Sequence, residues 1–336
     1  MKILLIKPSN LKTVPMGAFT QKALDNLGHT VSVEVYNESF LEKFISAIYK
    51  ILGSKEIYVG ANKRIRKSLL SFKPDLLFAI YGIHISKETL FFARKMNIKT
   101  ACWWLNDPFQ FERGLKLAKN YEYWFSNSKK CAEIVQSKLK IKSHFLPTAC
   151  DPQTHKKIRK DKKFSCDICF AGDWSESREK LLSFLIAKGF NIKIYGPWKK
   201  KLNKNSPLFR YLIPGFFTPK QMTEYFNNAK IVLNQHTWFK KFSHGVNPRL
   251  FEAAACDSVQ VVDFKTEIPN LFTIDKEIIT YSNISQLPLI LNSLLKNPNK
   301  RQKIAYKAKT RVLRDHTYEK RMGQMLLFIF PPAKFK

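Results

Sequence analysis

Short apolar runs alternate with amphipathic stretches along this chain of 336 residues, and the alternation starts afresh near the middle. In the first half the apolar runs predict strands at residues 2–6, 29–35, 74–81, 99–105, 123–127 and 143–146. After a polar, lysine-rich stretch, further strands are predicted at residues 165–171, 191–195, 231–233, 259–262 and 278–281. Helical patterns lie between them, including residues 19–27, 177–188, 219–228 and 248–256. Strands that alternate with helices form parallel sheets with helices on both faces, so we predict an α/β protein with two Rossmann-like, doubly wound lobes.

The polar stretch at residues 151–163 sets the expected domain boundary. We predict an N-terminal lobe over residues 1–150 and a second lobe over residues 151–315, facing each other across a cleft. The terminal stretch of residues 299–329 is helical in period and rich in lysine and arginine. Ligands of doubly wound sheets bind beyond the carboxyl ends of the strands, so motifs that directly follow strands are the candidate site residues.

Positive charge dominates the composition. The chain has 58 lysine and arginine residues against 26 aspartate and glutamate residues, a formal net charge of +32. Such a charge attracts polyanions, and a phosphorylated substrate, an anionic membrane surface and nucleic acid all qualify. The alternative is a lysine-biased but ordinary solvated surface, because lysines occur in nearly every segment.

The sequence also bears on location. No apolar run reaches the roughly 18 residues of a spanning helix, and the first apolar run is too short for the core of a signal peptide. The 6 cysteines form no spaced framework, so we expect them to be reduced. These features favour a cytoplasmic protein, with a peripheral position at the inner face of the membrane left open.

The most informative segment is residues 244–256. Asn247 followed by Pro248 predicts a helix start, in which the asparagine caps free amides and the proline takes the first helical position. Gly245 allows close approach of a ligand, and the helix start itself favours a phosphate. Arg249 and Glu252 share one helix face, where an arginine can hold phosphate oxygens and a carboxylate can accept bonds from ribose hydroxyls. The alternative is an ordinary capped helix with a surface ion pair.

Residues 234–281 resemble the second lobe of GT-B fold glycosyltransferases, in particular the group related to the spore maturation protein CgeB. The resemblance rests on Leu233-Asn234, on residues 245–256, 259–263 and 267–272, and on residues 170–173 with Arg178, and it is looser in the first lobe, at residues 103–108. It implies GT-B architecture, with the C-terminal helix of residues 316–336 packing back on the first lobe. It further implies that the second lobe binds a nucleoside-diphosphate sugar and the first lobe binds the acceptor.

Residues in the loops after the strands of the second lobe are the predicted donor-binding residues, from the resemblance and, for Tyr195 and Gly196, from their position at the end of a strand. These are Gly172, Asp173, Arg178, Tyr195, Gly196, Asn234, His244, Gly245, Val246, Asn247, Arg249 and Glu252. Glu252 takes the position of the second glutamate of a pair found in many GT-B enzymes, which implies a ribose-binding role. The chain departs from that pattern at the first glutamate, which is His244 here, and at Asp257, where a glycine is usual. His244 as an imidazolium could stabilise a departing phosphate, or it could be a solvent-facing loop histidine.

On the acceptor side, the resemblance points to Gly17, Phe19 and Asp107. An inverting transfer needs a base for the acceptor hydroxyl, and Asp107 is the first candidate and His84 the second. Asp107 could equally be a turn residue before a proline. The sequence has no convincing Asp-x-Asp loop, so we expect no metal and no cofactor, with arginines, lysines and a helix dipole meeting the leaving-group charge.

The predicted function is therefore metal-independent transfer of a sugar from a nucleoside-diphosphate sugar. The acceptor is unidentified, and an anionic one, a membrane-associated glycan or nucleic acid, fits the charge. Two alternatives remain open: a basic nucleic-acid-binding protein, which could itself glycosylate nucleic acid, and a GT-B nucleotide-sugar epimerase. The oligomeric state is also open.

Overall fold

The computed structural model describes residues 1–8 and 14–332, and these form an α/β protein. The strands of the described residues are β1 (Lys2–Lys7), β2 (Thr30–Val35), β3 (Leu76–Ile80), β4 (Lys99–Trp104), β5 (Tyr123–Ser126), β6 (Lys142–Phe145), β7 (Cys166–Ala171), β8 (Ile192–Gly196), β9 (Leu212–Pro214), β10 (Ala229–Asn234), β11 (Gln260–Asp263) and β12 (Ile279–Tyr281). The helices are α1 (Met16–Asn26), α2 (Phe40–Ile51), α3 (Val59–Phe72), α4 (Lys87–Lys95), α5 (Phe111–Ala118), α6 (Lys129–Leu139), α7 (Glu176–Ala187), α8 (Pro219–Asn228), α9 (Arg249–Ala255), α10 (Ile268–Leu271), α11 (Leu287–Lys296), α12 (Pro298–Asp315) and α13 (Tyr318–Ile329). Among these residues no helix combines the length and the apolar character needed to cross a bilayer.

The chain divides into two compact units. Of the described residues, the first contains 1–8, 15–147 and 318–332, and the second contains Val14 and residues 148–317. The helical stretch predicted up to residue 329 is interrupted between α12 and α13, which belong to different units. Within the first unit α13 packs against α1, where the rings of Phe19 and Tyr318 lie 5.3 Å apart.

The first unit is built on one parallel sheet of six described strands in the order β2-β1-β3-β4-β5-β6. Its inner strand β3 is apolar throughout, and every residue of it is buried, which is typical of a parallel strand covered on both faces. The strand order reverses between β1 and β3. Residues 9–13, which belong to the predicted loop after β1, lie outside the described residues.

The second unit holds a parallel sheet of six described strands in the order β12-β11-β10-β7-β8-β9. Numbered within the unit, this is the 3-2-1-4-5-6 order of the dinucleotide-binding fold, with the switch point between β7 and β10. Sequence analysis missed β9, an edge strand of 3 residues that is too short to show a period. The predicted fold class, two doubly wound parallel sheets with helices, is confirmed.

Candidate functional site

The switch point of the second unit is organised by the side chain of Arg178. Its Nε and Nη2 groups donate hydrogen bonds of 3.0 and 2.6 Å to the carbonyl oxygen of Gln235, and Nη1 donates one of 2.8 Å to the carbonyl oxygen of Asp173. Ser175 caps α7 and accepts a hydrogen bond from the Arg178 amide, which sets the start of the helix that carries the guanidinium. The side chain thus ties the loop after β7 to the loop after β10.

Arg178 is also a buried cation. Only 7% of the residue is exposed, and burial lowers the pKa of its guanidinium to about 10. Within the described residues it forms no ion pair within 4 Å. Main-chain carbonyl oxygens accept its three hydrogen bonds, its guanidinium lies 5.4 Å from the ring centre of Phe170, and the charges of Asp173 and Asp263 oppose part of the fall in its pKa. A buried charge that has no carboxylate in direct contact is costly, so this position favours an anion.

Arg249, the first residue of α9, reaches the same strand end. Its Nε donates a 3.2 Å hydrogen bond to the carbonyl oxygen of Ala171, and Nη1 lies 2.5 Å from Oε2 of Glu252. The guanidinium also lies over the ring of Phe217, 5.5 Å from its centre. Within the described residues its Nη2 has no hydrogen-bond partner, so two N–H groups are available to a ligand. Arg249 and Glu252 share one face of α9, as predicted. They also form the ion pair of the alternative interpretation, with Glu252 buried and not at the surface.

Glu252 is fully buried and has one oxygen unused. Its Oε1 finds no hydrogen-bond donor within the described part of the chain, and Nε2 of His155 lies 4.0 Å from it. Nδ1 of His155 accepts a 3.1 Å hydrogen bond from the Asp151 amide, and burial lowers the pKa of His155. The ring is therefore neutral, with its proton on the side of Glu252. A buried carboxylate oxygen without a donor is unfavourable, and a ligand hydroxyl would satisfy it.

The expected helix cap by Asn247 is wrong. The residue before α9 is Pro248, which makes no side-chain capping bond. Instead, the Asn247 and Asn234 amides form two reciprocal hydrogen bonds of 3.0 and 3.1 Å. An amide partner at the end of β10 satisfies both the donor and the acceptor of Asn247, whereas a cap would use only the acceptor.

Sequence analysis missed a buried polar network beside this pair. Oδ1 of Asp263 accepts hydrogen bonds from Nδ1 and the main-chain N–H of His236, at 2.8 and 2.7 Å, and Nζ of Lys265 lies 3.0 Å from Oδ2. Burial opposes ionisation, but His236 and Lys265 hold the pKa of Asp263 below its usual value. Nε2 of His236 in turn accepts from the Asn247 amide at 3.1 Å, so the network fixes the loop before α9. The available signal was that His236 and Asp263 lie at the ends of neighbouring strands.

The loop before α9 is held on its other side by Glu267. The amide of Gly245, whose φ is +82°, donates a 2.9 Å hydrogen bond to Oε2 of Glu267, and the indole of Trp238 donates to the carbonyl oxygen of His244 at 3.0 Å. His244 and Val246 are both buried. The alternative of a solvent-facing histidine is therefore wrong, while a role of His244 at the phosphate or sugar stays a prediction.

Strands β7 and β8 end in close contact. Gly196 has a φ of +155°, and a Cβ atom added there would overlap the carbonyl oxygen of Gly172. The same oxygen accepts a 2.7 Å hydrogen bond from the indole of Trp198. Tyr195 stacks on Tyr225 with ring centres 3.6 Å apart. Gly172 and Gly196 therefore shape the strand ends, and the nucleotide contact predicted for Tyr195 stays a prediction.

In the first unit, Asp107 follows β4 and is 1% exposed. Its carboxylate accepts hydrogen bonds from the Trp104 indole at 3.2 Å and from the Ser126 hydroxyl at 2.5 Å, and Asn127 binds its main-chain N–H and C=O. Burial raises the pKa of Asp107 to about 7, although both side-chain hydrogen bonds oppose the rise. This pKa suits a proton acceptor near neutral pH.

The other predicted residues of the first unit are placed as follows. His84 lies between Tyr36 and Tyr58, with ring centres 4.6 and 4.0 Å away, and burial and the charge of Arg113 lower its pKa. Gly17 and Phe19 are buried in α1, which begins at Met16, three residues before the predicted start. Catalytic and acceptor-side roles for these residues stay predictions.

Asp107→Asn is expected to change the pH dependence of stability. The folded-state pKa of about 7 exceeds the usual 3.8, so between these values the folded protein holds a proton that the unfolded chain has lost. The contribution of the protonated Asp107 carboxyl to the free energy of unfolding is therefore present in full below about pH 4. It is lost as the pH rises through 7, and the total loss is about 4 kcal/mol. The asparagine variant is neutral throughout, so its melting temperature should fall less between pH 4 and 8. Parallel pH profiles of the two proteins would contradict this.

Comparisons with known proteins bear on the second unit and on the whole fold. Residues 178–327, which include Arg178, Arg249 and Glu252, match the family model described as Glycosyl transferase-like. Spore protein CgeB of Bacillus subtilis (strain 168) is 22% identical over 263 residues, which are 74% of this chain and 81% of that protein. Sucrose-phosphate synthase from Thermosynechococcus elongatus matches with a TM-score of 0.68 at 9% identity, over 98% of this chain and 99% of that one. HepE of Anabaena in complex with UDP matches with a TM-score of 0.63 at 11% identity, with the same coverage.

At these identities the solved structures show the fold alone, two Rossmann-like lobes of the GT-B kind. The family match and the curated relative add the chemistry class. The resemblance to CgeB-like GT-B glycosyltransferases is confirmed, and so is the expectation of an enzyme.

Proposed function

We propose that this chain, a GT-B glycosyltransferase similar to CgeB, takes its sugar from a nucleoside-diphosphate sugar bound at the switch point of the second unit. The observation that carries the proposal is the unused bonding capacity of three buried or half-buried charged groups. In the described residues these are the guanidinium of Arg178, three of whose five N–H groups are bonded, Nη2 of Arg249 and Oε1 of Glu252. Such groups match the anionic and hydroxyl parts of one ligand.

The two arginines would bind the diphosphate. Both hold the backbone at the end of β7, Arg249 at Ala171 and Arg178 at Asp173. In the transfer, the bond between the anomeric carbon and a phosphate oxygen breaks, and the acceptor oxygen forms a bond to that carbon. The nucleoside diphosphate leaves with the electron pair, and fixed cations stabilise the charge that develops on its oxygen. The acceptor proton passes to a base, for which Asp107 and His84 are the candidates.

Glu252 would bind the ribose. Its Oε2 is already held by Arg249, so Oε1 stays in one place and can accept a hydrogen bond from a ribose hydroxyl. His155 lies on the same side and keeps its neutral ring against the carboxylate. The CgeB resemblance assigns the same role to this glutamate, so two independent lines support it.

The donor proposal extends to its nucleotide and to metal use. HepE is a structural neighbour with bound UDP and also with UDP-glucose, so UDP is the first nucleotide to test. We propose that two guanidinium groups meet the diphosphate charge without a divalent cation. The proposal includes an anionic acceptor and a cytoplasmic location with peripheral contact to the inner face of the membrane. The epimerase alternative is not favoured, because the family match is to sugar transfer.

A nucleotide screen by thermal unfolding tests the donor proposal. A ligand at 100 times its Kd stabilises the folded protein by about 2.7 kcal/mol, which is a rise of several degrees in melting temperature. We expect a nucleoside diphosphate and its sugar conjugate to produce this rise, equally with EDTA or with Mg²⁺. Inorganic pyrophosphate, which lacks a ribose for Glu252, should produce a smaller one. The proposal is wrong if no nucleoside diphosphate at millimolar concentration raises the melting temperature.

A further inference from the structure

Helix α2 presents an apolar face to solvent. None of its residues is buried, and Phe40, Phe44 and Ile51 are 85%, 63% and 84% exposed. Leu41 and Leu52 are exposed as well. At 3.6 residues per turn these positions form one broad face of the helix. Folded proteins rarely leave a contiguous apolar surface of this kind uncovered unless it binds something.

The opposite, polar face of α2 attaches the helix to α3. Glu42 accepts a 2.7 Å hydrogen bond from Nε of Arg64, and Ser46 accepts one of 3.1 Å from the amide of Gly60. The two backbones approach closely, since a Cβ atom added to Gly60 would lie 2.6 Å from Cα of Glu42. Nζ of Lys63 donates to the hydroxyl of Tyr49 at 2.6 Å. The usual arrangement is therefore reversed: polar contacts anchor the helix and its apolar face points outward.

The charged residues around α2 also differ between its two sides: the carboxylates are paired with arginines, and the lysines are exposed. The carboxylates of Glu34 and Glu42 pair with Arg64, and that of Glu56 pairs with Arg66. The lysines Lys43, Lys50 and Lys55 are exposed. Lys43 and Lys50 are two helical turns apart, which puts them along one edge of the apolar face. The outer surface is thus apolar in the middle and cationic at its edge.

We propose that the apolar face of α2 docks on an anionic lipid surface. In this arrangement Phe40, Phe44 and Ile51 enter the boundary between headgroups and acyl chains, and Lys43 and Lys50 contact lipid phosphates. A second copy of the chain is a poorer occupant, because a symmetric contact would bring these lysines together. The inference deepens the peripheral membrane location proposed above, and it does not depend on the donor site.

Vesicle sedimentation tests this docking with the full chain. Binding is measured to vesicles of phosphatidylcholine with one quarter phosphatidylglycerol and to vesicles of phosphatidylcholine alone. We expect the protein to bind the anionic vesicles, with Phe44→Ser and Phe40→Ser each weakening the partition at least tenfold. The double change Lys43→Glu and Lys50→Glu should remove the preference for the anionic vesicles. Leu289→Ser is the matched control, since Leu289 is 80% exposed on α11 of the second unit and should leave binding unchanged.

Two results would overturn the docking proposal. One is an equal partition of Phe44→Ser, Leu289→Ser and the unaltered protein, or no partition at all. The other is self-association that Phe44→Ser abolishes while vesicles bind neither protein, which would assign the face to a second copy. UDP affinity measured on Phe44→Ser should match that of the unaltered protein, so failure of the lipid docking is distinguishable from failure of the donor site.

Discussion

Glu252→Gln is expected to weaken the binding of UDP about 100-fold, which corresponds to about 2.7 kcal/mol. Glutamine keeps the size of the side chain but replaces a charged acceptor by an amide. The change weakens both the link to Arg249, now a 2.5 Å ion pair, and the acceptor offered by Oε1. Hydrogen bonds to charged groups contribute about 1.5–3 kcal/mol each, so the loss of one accounts for the effect. Isothermal titration calorimetry with UDP measures it directly.

The control for this change is Glu176→Gln. Glu176 forms an exposed ion pair with Lys180 on α7, also one turn apart on a helix, and should leave UDP affinity unchanged. Because a buried substitution can disturb folding, Arg249→Lys provides a second test with the charge retained. It removes the forked donor, so UDP binding should weaken at least tenfold. Unchanged affinity in both site variants would remove the assignment of the donor site to α9.

Gly196→Ala is expected to destabilise the second unit by about 4 kcal/mol or more, because the added methyl group has no space. The overlapping atom is the carbonyl oxygen of Gly172, which belongs to a neighbouring strand end and is itself bound by the Trp198 indole. Backbone cannot move aside as a flexible side chain can. Relief would require the ends of β7 and β8 to separate where Gly172 donates to the Tyr195 carbonyl oxygen at 3.0 Å.

Gly189→Ala is the control that separates the cost of a positive φ from the cost of steric overlap. Gly189 also has a positive φ, of +83°, but nothing lies within 4 Å of an added Cβ. We expect a loss of only about 1 kcal/mol there, the ordinary penalty for a left-handed alanine. Chemical unfolding of both variants, followed by tryptophan fluorescence, gives the comparison. Similar losses at the two positions would show that the contact between Gly196 and Gly172 is not tight.

Local patterns predicted the elements well, as two examples show. The apolar run of β3 predicts a strand that is buried on both faces, and it is. Helix α8 has the bounds expected from its sequence, because Thr218 and Gln221 form a capping box and Pro219 takes the first turn. In both cases the determinants lie within a few residues of each other. The three-residue strand β9 was missed because so short a segment has no period.

Local patterns could not predict contacts between residues that are far apart in the sequence. The sequence predicts that Asn247 caps a helix, yet its side chain forms hydrogen bonds with Asn234 at the end of β10. The bond between His236 and Asp263 joins residues 27 apart, and it forms because β10 and β11 are neighbours in the sheet. The periodicity of α2 would normally place its apolar face inward, but Arg64 and Gly60 hold the polar face instead.

Residue order alone was thus enough to establish two α/β lobes and to single out Arg249 and Glu252, because hydrophobic period and helical spacing are properties of short segments. The order of the strands in the second sheet decided which polar groups of the site are buried and which partners they have. Among the residues that the structure describes, it left the guanidinium of Arg178 without an ion pair within 4 Å and one oxygen of Glu252 without a donor, since burial and hydrogen-bond partners depend on which loops the sheet brings side by side.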